Sequence, residues 1–87
     1  MKLTVIIPAY NEVKTIREIL QRVMATGLAD EILVVDDGSS DGTRDVLATL
    51  EDMPIVRVIL HAHNQGKGAA VRTGIANASG DLVLIQD

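Results

Sequence analysis

The 87-residue sequence contains no cysteine, tryptophan or phenylalanine, and Tyr10 is its single aromatic residue. Without cysteine the chain can form neither a disulfide framework nor a thiolate metal site, which is consistent with a reducing compartment such as the cytoplasm. One aromatic residue cannot build a stacking platform for single-stranded nucleic acid. A formal net charge of −4 also leaves no basic surface for a phosphate backbone. We therefore expect no nucleic-acid partner.

Long hydrophobic runs are absent as well, although 47% of the residues are hydrophobic. No run approaches the roughly 18 apolar residues of a membrane span. At the amino terminus a single lysine precedes a short apolar run that stops at Pro8, so we expect no secretory signal. The length suits one modest domain, and we expect residues 1–87 to form it.

Four short apolar runs, each followed by polar residues, are the main feature that the sequence does have. They comprise residues 3–7, 32–35, 55–60 and 82–85. Because the runs lack polar alternation, they are typical of parallel strands that are covered on both faces.

Segments with helical periodicity separate these runs, and each is followed by a residue that would end a helix: Gly27, Pro54 and Gly80. The first apolar stripe consists of Val13, Ile16, Ile19, Leu20, Val23 and Met24. The second consists of Val46, Leu47 and Leu50. Its expected N-cap is Ser40 or Asp41. The third consists of Val71, Ile75 and Ala78, bordered by Ala70 and Gly74.

Strands that alternate with amphipathic helices predict an α/β fold. Right-handed crossovers place strands one, two and three side by side, and the fourth strand can return beside the first. The predicted fold is therefore a Rossmann-like parallel sheet with the elements β-α-β-α-β-α-β and the strand order 3-2-1-4. All four polar segments then lie along one edge of the sheet, where open α/β sheets bind ligands.

The polar segment after the first strand, residues 8–12, contains no glycine. A dinucleotide-binding fold requires a glycine-rich turn at this point so that the backbone can approach a pyrophosphate, and the sequence argues against that fold. Local roles remain open for two residues of the segment. Asn11 could cap a helix, and Glu12 could be a favourable charge in its first turn.

Two carboxylates, Asp36 and Asp37, directly follow the second strand. One could accept hydrogen bonds from a base or a ribose, while backbone N–H groups hold the other. The alternative is a capped turn, since Asp, Gly and Ser favour turns for local reasons. Residues 40–43 are interpreted as a helix start. We favour a functional role for Asp37, because two acids at a strand end are more charge than a turn requires.

Residues 64–70 place Lys67 between two glycines at the start of a helix. A phosphate cradle is one interpretation, although the glycine spacing and the following hydroxyl residue of a P-loop are missing. Arg72, one turn into the helix, is either a phosphate contact or part of a solvated face.

Two histidines and the final aspartate are further candidates. His61 and His63 could form a metal pair near a strand end, but we favour exposed loop histidines. Asp87 alone is a weak ligand set for a hard divalent ion, which usually binds one or two carboxylates together with substrate phosphates.

In combination, the polar segments resemble the motifs of the family-2 glycosyltransferases, and in particular those of the dolichol- or polyprenyl-phosphate sugar transferases. The resemblance rests on VIIPAYNE (5–12), VVDDGSSDGT (34–43), NQGKG (64–68) and GDLVLIQD (80–87), which span the chain in order. It implies that residues 1–87 are a nucleotide-sugar-binding domain, the N-terminal half of a GT-A fold. The expected ligand is a UDP- or GDP-sugar.

The resemblance also implies roles for individual residues. By motif, Pro8, Tyr10 and Glu12 would contact the nucleoside. Val35 would pack on the base, and Asp37 would form a hydrogen bond with it.

Under the same resemblance, Lys67 would be a further nucleotide contact. Asp87 matches the first Asp of the family's Asp-x-Asp motif, which binds Mg²⁺ or Mn²⁺ together with the diphosphate. The second Asp, the acceptor region and the general base lie beyond Asp87 in the family. We therefore expect a truncated domain with no catalytic residue and no turnover by this chain alone.

For the parent enzyme, the resemblance implies an inverting transfer of the sugar to an acceptor such as a polyprenyl phosphate. The expected location is the cytoplasm or the cytoplasmic face of a membrane. We also expect the isolated chain to self-associate through its last strand, because residues 82–86 carry neither proline nor charge.

Two other classes share features with the sequence. A nucleotidyltransferase would need a glycine- and arginine-rich loop after the first strand to bind a triphosphate, and residues 8–12 offer none. A receiver-like domain, which is not an enzyme, would carry a phosphorylatable Asp at the end of the third strand, where this sequence has His61. Both alternatives are less well supported than the transferase.

Overall fold

The computed structural model describes every residue from Met1 to Asp87. Its elements are β1 (Leu3–Ala9), α1 (Ile16–Ala25), β2 (Glu31–Asp36), α2 (Thr43–Leu50), β3 (Val56–Leu60), α3 (Lys67–Asn77) and β4 (Leu82–Ile85). The strands form one parallel sheet in the order β3-β2-β1-β4, which confirms the predicted α/β fold and strand order. None of the helices has the length and apolar character that crossing a membrane requires.

The sheet carries a core on each of its faces. On one face, Ile7 and Val34 belong to the larger core, which includes residues of α1 and α2. On the other face, Leu33 and Val35 pack with Ala70 of α3. β2 is therefore buried along its whole length, as its unbroken apolar run predicted.

Helix α3 packs on the sheet through its smallest residues. Its buried residues are Ala70 and Gly74, whereas Ile75 is 54% exposed. The predicted packing stripe is therefore wrong at Ile75, whereas Val71 and Ala78 are half-buried and the predicted border residues Ala70 and Gly74 make the closest contact with the sheet. The helix is rotated away from that stripe because the small residues let its backbone lie close to β1.

The helix starts also differ from the expected caps. Gly42 is the N-cap of α2, with a φ of 101°, and no side chain caps that position. Neither Ser40 nor Asp41 takes this place, because the tight turn requires a positive φ there. The Asp41 carboxylate instead accepts a hydrogen bond from the Thr43 N–H at 3.0 Å. Asn11 likewise does not cap α1, whose first residue lies further along the chain.

Glu31 joins the amino ends of the strands. Its carboxylate accepts hydrogen bonds from Thr4 Oγ1 at 2.9 Å and from the Ser79 N–H at 3.0 Å, and it pairs with Arg57 at 2.8 Å. Thr4 Oγ1 in turn accepts a hydrogen bond from the Gly80 N–H at 2.9 Å. Burial would raise the pKa of Glu31, but these donors outweigh burial and lower the pKa to about 2. The buried carboxylate thus ties the segment ahead of β4 to β1 and β3.

Strand β4 forms an open edge of the sheet. It pairs with β1 alone, and its four residues are between 36% and 52% exposed. Both faces and one row of backbone groups of β4 are therefore accessible.

Candidate functional site

A cleft of about 200 Å³ lies at the carboxyl ends of the strands, the edge where the polar segments were expected. The strand order reverses at β1, as in other open α/β sheets that bind ligands at a switch point. The cleft brings together six of the seven site residues that the resemblance implied: Pro8, Tyr10, Glu12, Asp37, Lys67 and Asp87.

Val35 is the exception among these residues. Its side chain is 0% exposed and packs with Leu33 and Ala70 beneath the cleft. A side chain without accessible surface cannot stack on a base. The structure therefore does not support the expected contact between Val35 and a ligand.

The loop that carries Tyr10 is held by the loop that follows β2. The Asn11 N–H donates to Ser39 Oγ, and Asn11 Oδ1 accepts from the Ser40 N–H, both at 2.9 Å. Asn11 has a positive φ of 51°, a conformation that asparagine tolerates better than most residues. This exchange fixes the backbone next to Tyr10, whose ring is half exposed at the cleft.

The same pair of loops is joined at two further points. The Glu12 N–H donates to Thr43 Oγ1 at 2.9 Å, and the Val13 N–H donates to Asp41 Oδ2 at 3.2 Å. The Thr43 hydroxyl also donates to Asp41, and this hydrogen bond is the main reason that the pKa of Asp41 lies below its usual value. Residues 40–43, interpreted from the sequence as a helix start, thus also bind the first loop. We call loops 10–13 and 39–43, with these hydrogen bonds, the loop clamp.

Asp37 lies on the floor of the cleft with its side chain 4% exposed. Its Oδ1 is 2.9 Å from both His61 Nδ1 and the Gln65 N–H nitrogen. Its Oδ2 accepts from the Gly66 N–H at 2.9 Å and from Asn64 Nδ2 at 3.1 Å. These contacts occupy the roughly four acceptor positions that a carboxylate has. Asp37 therefore joins the end of β2 to the loop ahead of α3.

The charge of Asp37 is stabilised by these donors. Burial would raise the pKa of its carboxyl group, but the hydrogen bonds from His61, Gln65 and Gly66 outweigh burial and lower the pKa. The floor of the cleft is thus negatively charged at neutral pH.

His61 is buried beside Asp37. It is 8% exposed, and its Nε2 is 2.8 Å from Thr73 Oγ1 in α3. The expectation of an exposed loop histidine is wrong for His61, because Asp37 and Thr73 enclose the ring from both sides. It is confirmed for His63, which is exposed. The chain contains no group of three or more histidine and acidic side chains placed to hold a metal ion.

Asp36 serves a different part of the fold from Asp37. Its buried Oδ2 pairs with Arg44 Nε at 2.8 Å and accepts from the Ser39 N–H at 3.0 Å, while its Oδ1 has no hydrogen-bond partner. Arg44 also donates to the backbone carbonyl of His61. Asp36 thus fixes α2 and the end of β3 and does not line the cleft.

Lys67 and Asp87 form an ion pair at the cleft, with both side chains more than half exposed. The Arg72 guanidinium lies near the same helix start, with Nη1 3.2 Å from the position that a Cβ atom on Gly68 would occupy. Two cationic side chains therefore lie at the N-terminus of α3, whose dipole also favours anions. This arrangement fits the phosphate cradle suggested by the sequence.

Three residues of the cleft wall were not predicted: Ala9, Asn64 and Ala70. Asn64 belongs to a segment that the sequence did single out, but its contact with Asp37 spans 27 residues and has no local signal. The two alanines have no chemistry that could have identified them.

The carboxylates of the cleft fit a divalent ion that is held largely by phosphate oxygens of a ligand. Asp37 is unsuitable as a metal ligand because its acceptor positions are filled. Glu12 Oε2 accepts a hydrogen bond from Thr15 Oγ1 at 3.1 Å. The Asp87 side chain is 65% exposed, and one carboxylate with substrate phosphates is a usual ligand set for Mg²⁺. Asp87 is thus the residue that best fits this role.

Comparison with known sequences gives relatives with a named activity. The chain is 37% identical over 93 residues to the undecaprenyl-phosphate 4-deoxy-4-formamido-L-arabinose transferase of Salmonella paratyphi A. It is 39% identical over 93 residues to the protein of the same name from Sodalis glossinidius. Each alignment covers 99% of this chain and 28% of the relative. The chain therefore spans little more than a quarter of the length of these relatives.

Similar solved structures include three with bound nucleotides. A mannosyltransferase from Pyrobaculum calidifontis in complex with GDP-Man and Mn²⁺ gives a TM-score of 0.85 at 31% identity, over 94% of this chain and 26% of that one. Staphylococcus aureus TarS in complex with UDP gives a TM-score of 0.88 at 31% identity, over 100% of this chain and 27% of TarS. Glucosyl-3-phosphoglycerate synthase from Mycobacterium tuberculosis, in complex with Mn²⁺, UDP and phosphoglyceric acid, gives a TM-score of 0.77 at 32% identity. The match covers 99% of this chain and 32% of the synthase.

The architecture is the N-terminal part of the GT-A fold that these glycosyltransferases share. The family model described as Glycosyl transferase family 2 matches residues 4–87. The resemblance drawn from the motifs is thereby confirmed, and the match favours a transferase over the nucleotidyltransferase and receiver-like alternatives. With all but its first three residues matched, the chain belongs to glycosyl transferase family 2.

Proposed function

We propose that residues 1–87 form a donor-binding domain that holds a nucleoside diphosphate sugar, such as a UDP- or GDP-sugar, for an inverting glycosyltransferase. The observation that supports this most strongly is the convergence of Pro8, Tyr10, Glu12, Asp37 and Lys67 on one cleft. The similar structures named above hold UDP or GDP-Man. In the inverting reaction, an acceptor oxygen bonds to the anomeric carbon from the face opposite the nucleoside diphosphate, which leaves.

The nucleoside would bind at the end of the cleft formed by Tyr10, Glu12 and Asp37. Tyr10 offers an accessible ring face and a hydroxyl group. Asp37 is ionised and can accept a hydrogen bond from a base N–H. Since its acceptor positions are filled, the base would replace its longest contact, the Asn64 amide at 3.1 Å.

The diphosphate would bind at the start of α3. Lys67 would exchange its ion pair with Asp87 for a phosphate oxygen, and Arg72 lies close enough to the same helix start to assist. Asp87, released from Lys67, would hold Mg²⁺ or Mn²⁺ together with the diphosphate. The bound ion would neutralise charge on the leaving group.

The acceptor is inferred from the relatives, which are named as undecaprenyl-phosphate transferases. We propose a polyprenyl phosphate or a similar lipid phosphate, and therefore a reaction at the cytoplasmic face of a membrane. We assign no general base among residues 1–87. The isolated chain should accordingly bind a donor without transferring its sugar.

Titration of the chain with UDP and GDP in the presence of Mg²⁺, followed by NMR, tests donor binding. We expect a dissociation constant of about a millimolar or weaker, which corresponds to about −4 kcal/mol. The shifted resonances should include Tyr10, Glu12 and Asp37. Shifts confined to other parts of the chain would contradict the proposal.

Asp37→Ala should remove most of the binding, since a base N–H left without its acceptor costs about 1–3 kcal/mol. Asp52→Ala is a matched control, because Asp52 is an exposed acid in the loop after α2. The spectra of both variants should first be compared with that of the unsubstituted chain to establish that each is folded. Equal binding by the two variants would exclude Asp37 from the site.

A further inference from the structure

His61 is bonded at every polar atom, yet it does not line the cleft and has no direct part in the proposed donor site. Its Nδ1 is 2.9 Å from Asp37 Oδ1, and its Nε2 is 2.8 Å from Thr73 Oγ1. Its backbone N–H donates to the Asp36 carbonyl at 2.8 Å, and its carbonyl accepts from Arg44. Hydrogen bonds thus hold both the backbone of His61 and the two nitrogens of its ring.

We infer that His61 is a positioning residue for donor binding: its Nδ1–H holds the Asp37 carboxylate in the orientation that receives the nucleoside. The inference rests on the proposed function, because it concerns the acceptor that a base would contact.

The position of the ring proton follows from the two partners. An ionised carboxylate can only accept, so Nδ1 carries the proton that faces Asp37. In the neutral ring Nε2 is then an acceptor, and the Thr73 hydroxyl donates to it. Thr73 also prevents the ring from turning over, because a 180° rotation would place carbon atoms against both partners and break both contacts.

The surroundings of His61 explain why its loss should affect binding more than folding. Asp37 Oδ1 would keep the Gln65 N–H as a donor, so no buried oxygen would be left without a partner. Asp37 Oδ1 would nevertheless be held by the Gln65 N–H alone, so the orientation of the carboxylate would be less restrained. The other groups that face His61 act on its backbone: the Asp36 carbonyl and the Arg44 guanidinium.

Variants at three positions test the inference by UDP and GDP titration with Mg²⁺. His61→Leu removes both ring contacts while it keeps an apolar side chain, and it should weaken binding about tenfold. His61→Asn retains a donor near the position of Nδ1 and should recover most of the affinity. Thr73→Val, which frees the ring to turn, should weaken binding less than His61→Leu does. His63→Leu is the matched control in the same loop and should bind like the unsubstituted chain.

Two measurements on the ligand-free chain separate this inference from the proposed function. Long-range ¹H–¹⁵N spectra should show the proton of His61 on Nδ1. The carboxyl ¹³C titration of Asp37 should show a higher pKa in His61→Leu than in the unsubstituted chain, or in Thr73→Val if His61→Leu does not fold. If neither nucleotide binds at all, the proposed function fails while these two measurements still decide the role of His61.

An Nδ1 atom without a proton, or the same Asp37 titration with and without the His61 ring, would overturn the inference. Equal nucleotide affinity for His61→Leu and His61→Asn, both folded, would overturn it as well.

Discussion

Gly74 of α3 lies directly against Ile6 of β1, so close that a Cβ atom on residue 74 would be 2.6 Å from Ile6 Cγ2. Real Cβ contacts are essentially never shorter than 3.0 Å, so any larger residue would displace Ile6 or the helix. The contact sets the distance between α3 and the sheet. It thereby also places the first turn of α3, with Lys67, at the cleft.

In Gly74→Ala, overpacking of the contact with Ile6 should cost about 1–3 kcal/mol. Alanine also brings a gain of about 1 kcal/mol to a helix interior, so we expect a net decrease of up to about 2 kcal/mol in the free energy of unfolding. Urea unfolding followed by circular dichroism measures the difference. Gly68→Ala is the control in the same helix, since its Cβ atom would meet only the mobile end of Arg72 at 3.2 Å. If both variants are equally stable, the close contact is not a constraint on the fold.

The stability of the chain should depend on Glu31 in acid. The pKa of Glu31 is lower in the folded chain, so its contribution is complete above the usual value of 4.5 and is lost as the pH falls towards about 2. The difference between these values corresponds to about 3 kcal/mol. Urea unfolding at several pH values between 6 and 2 should therefore show a steep loss of stability, which Glu31→Gln should flatten. Glu51→Gln, which alters an exposed acid without an ion pair, should keep the steep dependence.

Two arginines should differ in their effect on stability. Arg44→Met leaves the charge of Asp36, which is 0% exposed, without its cationic partner. We expect a loss of about 2–3 kcal/mol, below the range for a fully buried pair because the Arg44 side chain is 35% exposed. Arg22→Met breaks an exposed pair with Glu18 in α1 and should cost no more than about 0.5 kcal/mol. Thermal or urea unfolding of both variants makes the comparison, and similar losses would show that Asp36 is not stabilised by Arg44.

Self-association of the isolated chain should proceed through the open edge of β4. Two copies could pair their β4 strands about a two-fold axis, since the edge carries no proline or charge between Leu82 and Gln86. Val83→Lys should weaken association, as measured by sedimentation at several concentrations. Leu28→Lys places the same charge on a 71% exposed position outside the sheet and should leave association unchanged. A chain that remains monomeric at high concentration would contradict this prediction.

The strand order could be predicted because its information is local and repetitive. Each apolar run identifies a strand by itself, and the handedness of the crossovers then restricts their order. The packing face of α3 was predicted only in part. Ala70 and Gly74 were expected at the border of its apolar stripe, but hydrophobicity favoured Ile75, and the distance to the sheet is set by the contact between Gly74 and Ile6.

The same distinction between local sequence information and long-range contacts applies to the candidate site. Asp37 was singled out from the sequence because it directly follows a strand end, whereas the expectation for Tyr10 came from the resemblance. His61 was missed because its burial depends on Asp37 and Thr73, which are 24 and 12 residues away. For Val35 the resemblance implied a ligand contact, and a strand buried on both faces has no alternation from which the burial of this particular side chain could be predicted.

The loop clamp limits how segments of this chain can be exchanged with those of another transferase. Asn11 and Ser39 satisfy backbone groups in each other's loops, and Thr43 does the same for Glu12. A chimera that grafts residues 10–13 from another transferase, without residues 39–43 from the same donor, would pair side chains that were not selected together. The two loops should therefore be exchanged together in protein engineering, although 25 residues lie between them in the sequence.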